Sequence, residues 1–353
     1  MKYSEFLNCL LLKLENTHPN LYHDVSKKDI LNYINSIKNL ESLSTEAFDL
    51  VLCKLFHLFY DAHTSFYPPF YNLSYKLNFI DGKFYILIDN NLEEISKFGQ
   101  FDCKTFYQLL KSILNYETIE WLNFKIKSIL NNQYIYKMLG LSCNDCIDLT
   151  LRNGKTVLVR REPLDANRQK IEDKNNFYNY EILDNGILYL RYKKCKENEN
   201  NPFPLFVKEI KNRIEKENIT KFILDVRQNT GGNSEILNPF ENLVKKKKLK
   251  GCVLIDNGVF SSGRIAVARF KREFDCILVG QPTGGAVCSY GNCKYFEIEG
   301  RTFSVSTTYY DYSKVFGYNG AIKPDVFVKN TIEDTMAKCD KIKDKAIKIL
   351  SQM

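Results

Sequence analysis

Two places in the chain set a serine or a pair of glycines where free backbone amides could hold an anion. One is Asn257-Gly258-Val259-Phe260-Ser261-Ser262-Gly263; the other is Asp225-Val226-Arg227-Gln228-Asn229-Thr230-Gly231-Gly232-Asn233. Each follows a short apolar run that reads as a strand and leads into a segment that reads as a helix. The first amides of a helix lack intrahelical acceptors, and glycine lets backbone approach a ligand closely. A serine so placed is a candidate nucleophile, and the N–H groups around it are candidate stabilisers of an oxyanion. The carboxyl ends of parallel strands are also where functional groups gather in such sheets. Taken locally, these residues favour a plainer reading, with Ser261 or Ser262 as a helix N-cap and Gly231-Gly232 as a tight turn.

A serine nucleophile needs a base, and all four histidines, His18, His23, His57 and His63, lie early in the chain. Histidine ordinarily titrates near neutrality, so it can take the serine proton and return it to a leaving amine. His63 stands in Asp61-Ala62-His63-Thr64, just after an amphipathic pattern of Phe48, Leu52, Leu55 and Phe59. That pattern predicts a helix from an N-cap at Thr45 to about Tyr60. If His63 closes this helix, the negative end of its dipole favours the imidazolium. His57 falls off the apolar face. Without further context, one histidine after such a helix is most often structural or exposed.

The elements that must position these groups fall into three regions. Residues 1–70 read as helices, ended by Tyr67-Pro68-Pro69-Phe70, which forbids helix. Residues 71–164 mix a strand at Lys83–Ile88, helices at Thr105–Leu114 and Trp121–Leu130, and a hairpin of Ile147–Leu151 and Thr156–Arg160 about Asn153-Gly154. This is a small α+β module. The polar stretch Asp165–Asn176 reads as a linker. Residues 177–353 then alternate strands (Ile187–Tyr192, Lys221–Val226, Cys252–Ile255, Cys276–Val279) with helices (Pro204–Glu217, Ser234–Val244, Ser262–Arg272). Such alternation implies βαβ units, a largely parallel sheet and the α/β class.

The bulk composition agrees with a globular chain: of 353 residues, 44% are hydrophobic and 26% charged, too apolar for disorder. No apolar run is long enough for a membrane span. Met1–Leu14, broken by Glu5, Asn8 and Lys13, reads as an amphipathic helix and not as a signal peptide. Eleven cysteines without scaffold spacing point to a reducing, cytoplasmic setting. The net charge of +8 comes without interleaved aromatics or a nucleic-acid motif, so nucleic acid is not expected as a partner. The run Lys245–Lys248 with Lys250 reads as a solvated helix end. Cys143, Cys146, Cys288 and Cys293 could supply four thiolates to zinc, but unpaired cysteines are the expected state, and neither metal nor cofactor is called for.

In four motifs the chain resembles the C-terminal-processing (tail-specific) serine peptidases. Asp225-Val226-Arg227-Gln228-Asn229-Thr230-Gly231-Gly232 is similar to their D-L-R-x-N-x-G-G signature, and Phe260-Ser261-Ser262-Gly263 to their nucleophile segment. Val279-Gly280-Gln281-Pro282-Thr283-Gly284-Gly285 matches V-G-E-P-T-x-G, and Ile322-Lys323-Pro324-Asp325 matches v-x-P-D. Together these cover about residues 185–330. The resemblance implies a ClpP/crotonase-like catalytic αβ domain, a polypeptide substrate, Ser261 as nucleophile, and oxyanion donors among the amides of Gly231, Gly232 and Ser262.

The departures are equally informative. Lysine-using members carry their base where this chain has Ala286. Asp61–Thr64 instead resembles the D-x-H-T element of the branch that includes the tricorn core protease, which implies that His63 is the base. Arg264 stands where a glutamate often follows the nucleophile. Tyr318 lies near the place of the acid that orients the histidine; Asp311 and Asp325 are the substitutes in reach, and since Asp325 belongs to the structural P-D turn, Asp311 is preferred. The middle module occupies the place of a PDZ domain but lacks its glycine-rich carboxylate-binding loop. The leading expectation is thus an endopeptidase forming an acyl-enzyme on Ser261 with His63 and Asp311. A non-catalytic relative that binds polypeptide or a small apolar ligand is the alternative. A crotonase-type enzyme ranks last, since Ser-Ser-Gly has no role in it.

Overall fold

Burial in the strand Lys221–Asp225 is continuous from Phe222 to Asp225, as expected of a parallel strand covered on both faces. The computed structural model describes residues 1–162 and 176–353, so nearly all of the expected linker lies outside the described residues. The chain forms two compact units: Met1–Asp165 with Ser289–Tyr310, and Ala166–Cys288 with Asp311–Met353.

In the second unit the sheet order is Val326–Phe327, Ile277–Gly280, Lys250–Ile255, Lys221–Asp225, Ile187–Tyr192, Tyr178–Ile182. All neighbours are parallel except the last pair. Alternate side chains serve opposite faces. Phe222 and Leu224 share a core with the helices Phe203–Glu217, Asn238–Lys247 and Ser262–Phe274. Ile223 packs with Ile342, Ala346 and Leu350 of the helix Lys341–Ser351. Burying one such side chain is worth about 1.5–3 kcal/mol. The alternation read from the sequence is thus the architecture, with one refinement. Ser234–Leu237 is a 3₁₀ turn, and the α-helix starts at Asn238.

The first unit joins what the sequence divided. A single buried cluster runs from Phe6 and Leu10 through Phe48 and Phe56 to Phe84, Phe98 and Val159. Residues 1–70 and 71–164 therefore share one core, and Ile298, Phe303 and Val305 from the far segment complete it. This is why 289–310 leaves the 177–353 region. Its antiparallel sheet runs Leu77–Ile80, Lys83–Ile88, Asn91–Phe98, Cys146–Leu151, Thr156–Arg160, with Phe101–Asp102 against Asn91–Phe98. A second sheet sets Ser65–Tyr67 beside Arg301–Val305, which pairs in turn with Lys294–Ile298.

The helix before His63 spans Thr45–His57, and its N-cap is Ser44, whose Oγ accepts from Ala47 N at 3.2 Å. Thr45 is its first helical residue, not its cap. Leu58 closes the helix, so His63 lies beyond its last turn, where the dipole has faded. No helix is long and apolar enough to cross a membrane among the described residues.

Candidate active site

Ser261 begins the helix Ser262–Phe274 with φ +50° and ψ −126°, and its side chain makes no capping hydrogen bond. Positive φ is uncommon for serine, and holding it costs about 1–3 kcal/mol. An N-cap would have an extended backbone and a hydroxyl turned on the second or third amide; Ser261 has neither. A strained strand-to-helix turn of this kind lifts a serine hydroxyl clear of a sheet in hydrolases. The turn is held by Phe260 N donating to Asn229 O at 3.0 Å and Gly263 N to Phe260 O at 2.9 Å. Ser262 is buried, and its Oγ donates to Gly232 O at 2.6 Å, so this second hydroxyl is committed to the scaffold.

The glycine loop meets the same turn. A Cβ on Gly231, at φ +104°, would fall 2.7 Å from Ser261 Cβ and 2.9 Å from Ser262 N. On Gly232, at φ +137°, it would fall 2.1 Å from Cys195 O. Only glycine fits either position. The Gly231 amide donates to Asn229 Oδ1 at 2.9 Å, so it is committed to the loop. Cys195 pairs with the loop through Gly231 O and Asn233 N, leaving the Gly232 amide out of that pairing. The Asp and Arg of the signature are scaffold. Asp225 accepts from Arg191, Arg227 and Tyr189, and Arg227 continues to Asp340 at 2.7 Å.

In the first unit, His63 sits in a turn tied down on several sides. Its amide donates to Asp61 Oδ1 at 2.9 Å, and its carbonyl accepts from Ser304 Oγ at 2.6 Å. Asp61 Oδ2 accepts from Thr64 Oγ1 at 2.5 Å and faces His18 Nε2 at 3.0 Å. His18 Nδ1 accepts from Asn20 N, which places the hydrogen on Nε2 and makes His18 the donor. Burial pushes the Asp61 carboxyl upward. The bonds from His18, Thr64 and Ser306 and the neighbouring His63 imidazole prevail, and hold it below the ordinary carboxylate range. Glu117 Oε1 lies 3.8 Å from His63 Nδ1, and both side chains are only 9% exposed. Asp61, His63 and Glu117 have potential ligand atoms within 4.8 Å of one another. Both oxygens of Asp61 are already taken by donors, so the set is poorly suited to a cation.

Asp311 is exposed, and its Oδ1 accepts from Ser313 N at 2.7 Å and from the Cys288 thiol at 3.2 Å. It caps a turn in the second unit, whereas the acid beside His63 in that histidine's own unit is Glu117. Tyr318 OH accepts from Lys323 N, and Asp325 Oδ2 from Leu278 N. His57 is bound through Nδ1 to Leu114 O at 2.7 Å. The two departures, Arg264 and Ala286, prove to be one arrangement. Arg264 is buried, and its Nη1 donates to Ala286 O at 2.9 Å and to Val287 O at 3.0 Å. An arginine on the helix thus braces the segment that bears the alanine. All eleven cysteines are free thiols.

Neither a protein-family profile nor a curated protein sequence matches the chain. Solved structures do. Mature CPAF complexed with lactacystin superposes with a TM-score of 0.67 at 13% identity, over 98% of this chain and 96% of that one. The chain shares the CPAF fold. A photosystem II C-terminal processing protease matches with a TM-score of 0.47 at 10% identity, over 90% of each chain. The tricorn protease matches at 0.37 and 14%, over 82% of this chain and 30% of that one. The likeness to CPAF is one of fold, and that fold is shared with serine peptidases.

Glu117 escaped the sequence reading. It sits between the helices Cys103–Ile113 and Ile119–Ile129, next to the N-cap Thr118, where an acid passes for ordinary helix-start charge. The only signal was its place in a short polar segment, Asn115–Thr118, that the helical pattern does not need.

Proposed function

We propose that the chain is a serine-type endopeptidase that cleaves polypeptides through an acyl-enzyme on Ser261. The observation that carries this reading is the strained backbone of Ser261, with its uncapped hydroxyl set against a loop that only glycine can form. Ser261 Oγ attacks the scissile carbonyl and passes its proton to His63 Nε2. The imidazolium then protonates the leaving amine, and water repeats the cycle on the ester. The reading requires His63 Nε2 to reach Ser261 Oγ. Glu117, facing Nδ1, supports the imidazolium in the role first expected of Asp311; its 3.8 Å separation would tighten when substrate binds. The amides of Gly232 and Ser262 are the proposed oxyanion donors, with Gly231 shaping the loop. The fold shared with CPAF supports a polypeptide substrate.

A fluorophosphonate probe tests this reading. Ser261 should be labelled in the native chain, labelling should vanish in Ser261→Ala and in His63→Ala, and it should persist in Ser262→Ala. An unlabelled native chain, or loss in Ser262→Ala alone, refutes it.

A further inference from the structure

Beneath the His63 turn lies a half-buried cation for which the proposed mechanism has no use. Lys125, on the helix Ile119–Ile129, bends back so that Nζ donates to Asn115 O at 2.9 Å and to Asn115 Oδ1 at 2.6 Å. With its oxygen held by the ammonium, the Asn115 amide must turn Nδ2 the other way. Nδ2 then donates to Asp61 O at 3.0 Å, Thr64 O at 2.7 Å and Ser65 Oγ at 2.6 Å. Those three acceptors bracket His63 in sequence. We propose that Lys125 is a positioning residue for the histidine base, holding the Asp61–Ser65 backbone through Asn115 and countering the charge of Glu117. The inference rests on the reading of His63 as a base.

The groups facing the ammonium are Glu117 from the segment before its helix, Asp61 from the turn, Cys53 from the helix Thr45–His57, and the Trp121 ring, 6.0 Å from Nζ. Burial lowers the Lys125 pKa to about 8, against the opposing pull of the Glu117 and Asp61 carboxylates. The thiol of Cys53 is itself pushed up to about 12 by burial, so it stays protonated over this range. Below about pH 8 the bonds to Asn115 are charge-assisted. Above it they fall to ordinary strength, and Glu117 loses its counter-charge. Hydrolysis should therefore have an alkaline limb centred near 8, with a fall of roughly tenfold for two weakened bonds.

Trp121 is the chain's single tryptophan, so its fluorescence reports on Lys125 without reference to activity. A titration of the native chain from pH 6 to 10 should show a fluorescence transition near 8. It should be absent in Lys125→Met and in Lys125→Arg, whose guanidinium stays charged. Lys125→Arg should keep activity at pH 7 and lose the alkaline limb, an outcome that a merely structural lysine would not produce, and this variant decides the matter if Lys125→Met fails to fold. A transition that survives in Lys125→Arg, or native hydrolysis with no alkaline limb, overturns the role of Lys125. A transition as expected with no hydrolysis at any pH instead sinks the peptidase reading, and the positioning role with it.

Discussion

Replacing Ser261 by glycine should make the protein more stable than replacing it by alanine, while both changes abolish hydrolysis. Alanine must still adopt φ +50° and keeps the strain, about 1–3 kcal/mol for such a conformation. Glycine adopts that backbone freely but gives the unfolded chain more freedom, an opposing effect of about 0.4–1 kcal/mol. Ser261 makes no capping bond, so neither change breaks one. The difference should be about 1 kcal/mol in favour of Ser261→Gly. For a unit the size of Ala166–Cys288 with Asp311–Met353, that corresponds to about 2–4 °C in Tm. Scanning calorimetry of the two variants at neutral pH measures it directly. If Ser261→Gly melts at or below Ser261→Ala, the serine is not strained, and the observation that carries the proposed function falls with it.

Gly232→Ala should lower kcat/KM at least about a hundredfold, since its Cβ meets Cys195 O and the loop must move an oxyanion donor to relieve it; near-native turnover would remove the loop from the site. His18→Ala should lower kcat roughly tenfold through lost support for Asp61, whereas His23→Ala should stay near native; steady-state kinetics at one pH separates them, and equal rates would show that the His18–Asp61 bond does not matter. Lys125 also sets a pH dependence of stability. Its folded pKa, about 8, lies below the ordinary 10.5, so between these values the unfolded chain binds more protons and stability rises with pH, by up to about 3 kcal/mol. Denaturant unfolding of the native chain should therefore gain on Lys125→Met from pH 8 to 10; a parallel course of the two would place the lysine amine in solvent.

The sequence was most informative where structure is local or periodic. The strands Lys83–Ile88, Thr156–Arg160 and Ile187–Tyr192 have their expected ends, because alternation and flanking turns define them. The parallel sheet followed from short apolar strands alternating with helical segments. Ser44 and Thr45 are adjacent cap-forming residues, and only tertiary context chose between them. What periodicity could not supply was pairing at a distance. Ser65–Tyr67 is three residues long, too short for any pattern, and its partner strand comes from the other end of the chain. Glu117 and Lys125 gather at the His63 turn from a short loop and a helix that look ordinary in sequence. The Arg264–Ala286 bond had a trace, since both departures were visible, but nothing in one dimension said they meet.

The pairing of Ser65–Tyr67 with Arg301–Val305 also fixes an order of events during synthesis. Ser304, which holds the His63 carbonyl, is 241 residues downstream of it. At about 5–20 residues per second, the turn waits roughly 12–50 s on the ribosome for that partner. The segment carrying Ser261 emerges within this interval, so the histidine, made early, is among the last parts of the site to be secured. A nascent chain that has passed Ser261 but not 289–310 carries the nucleophile segment without the strand that holds the His63 turn. Pulse-labelled ribosome-bound chains of graded length would therefore acquire probe reactivity only after 310, a delay written into the strand order and not into any separate inhibitor.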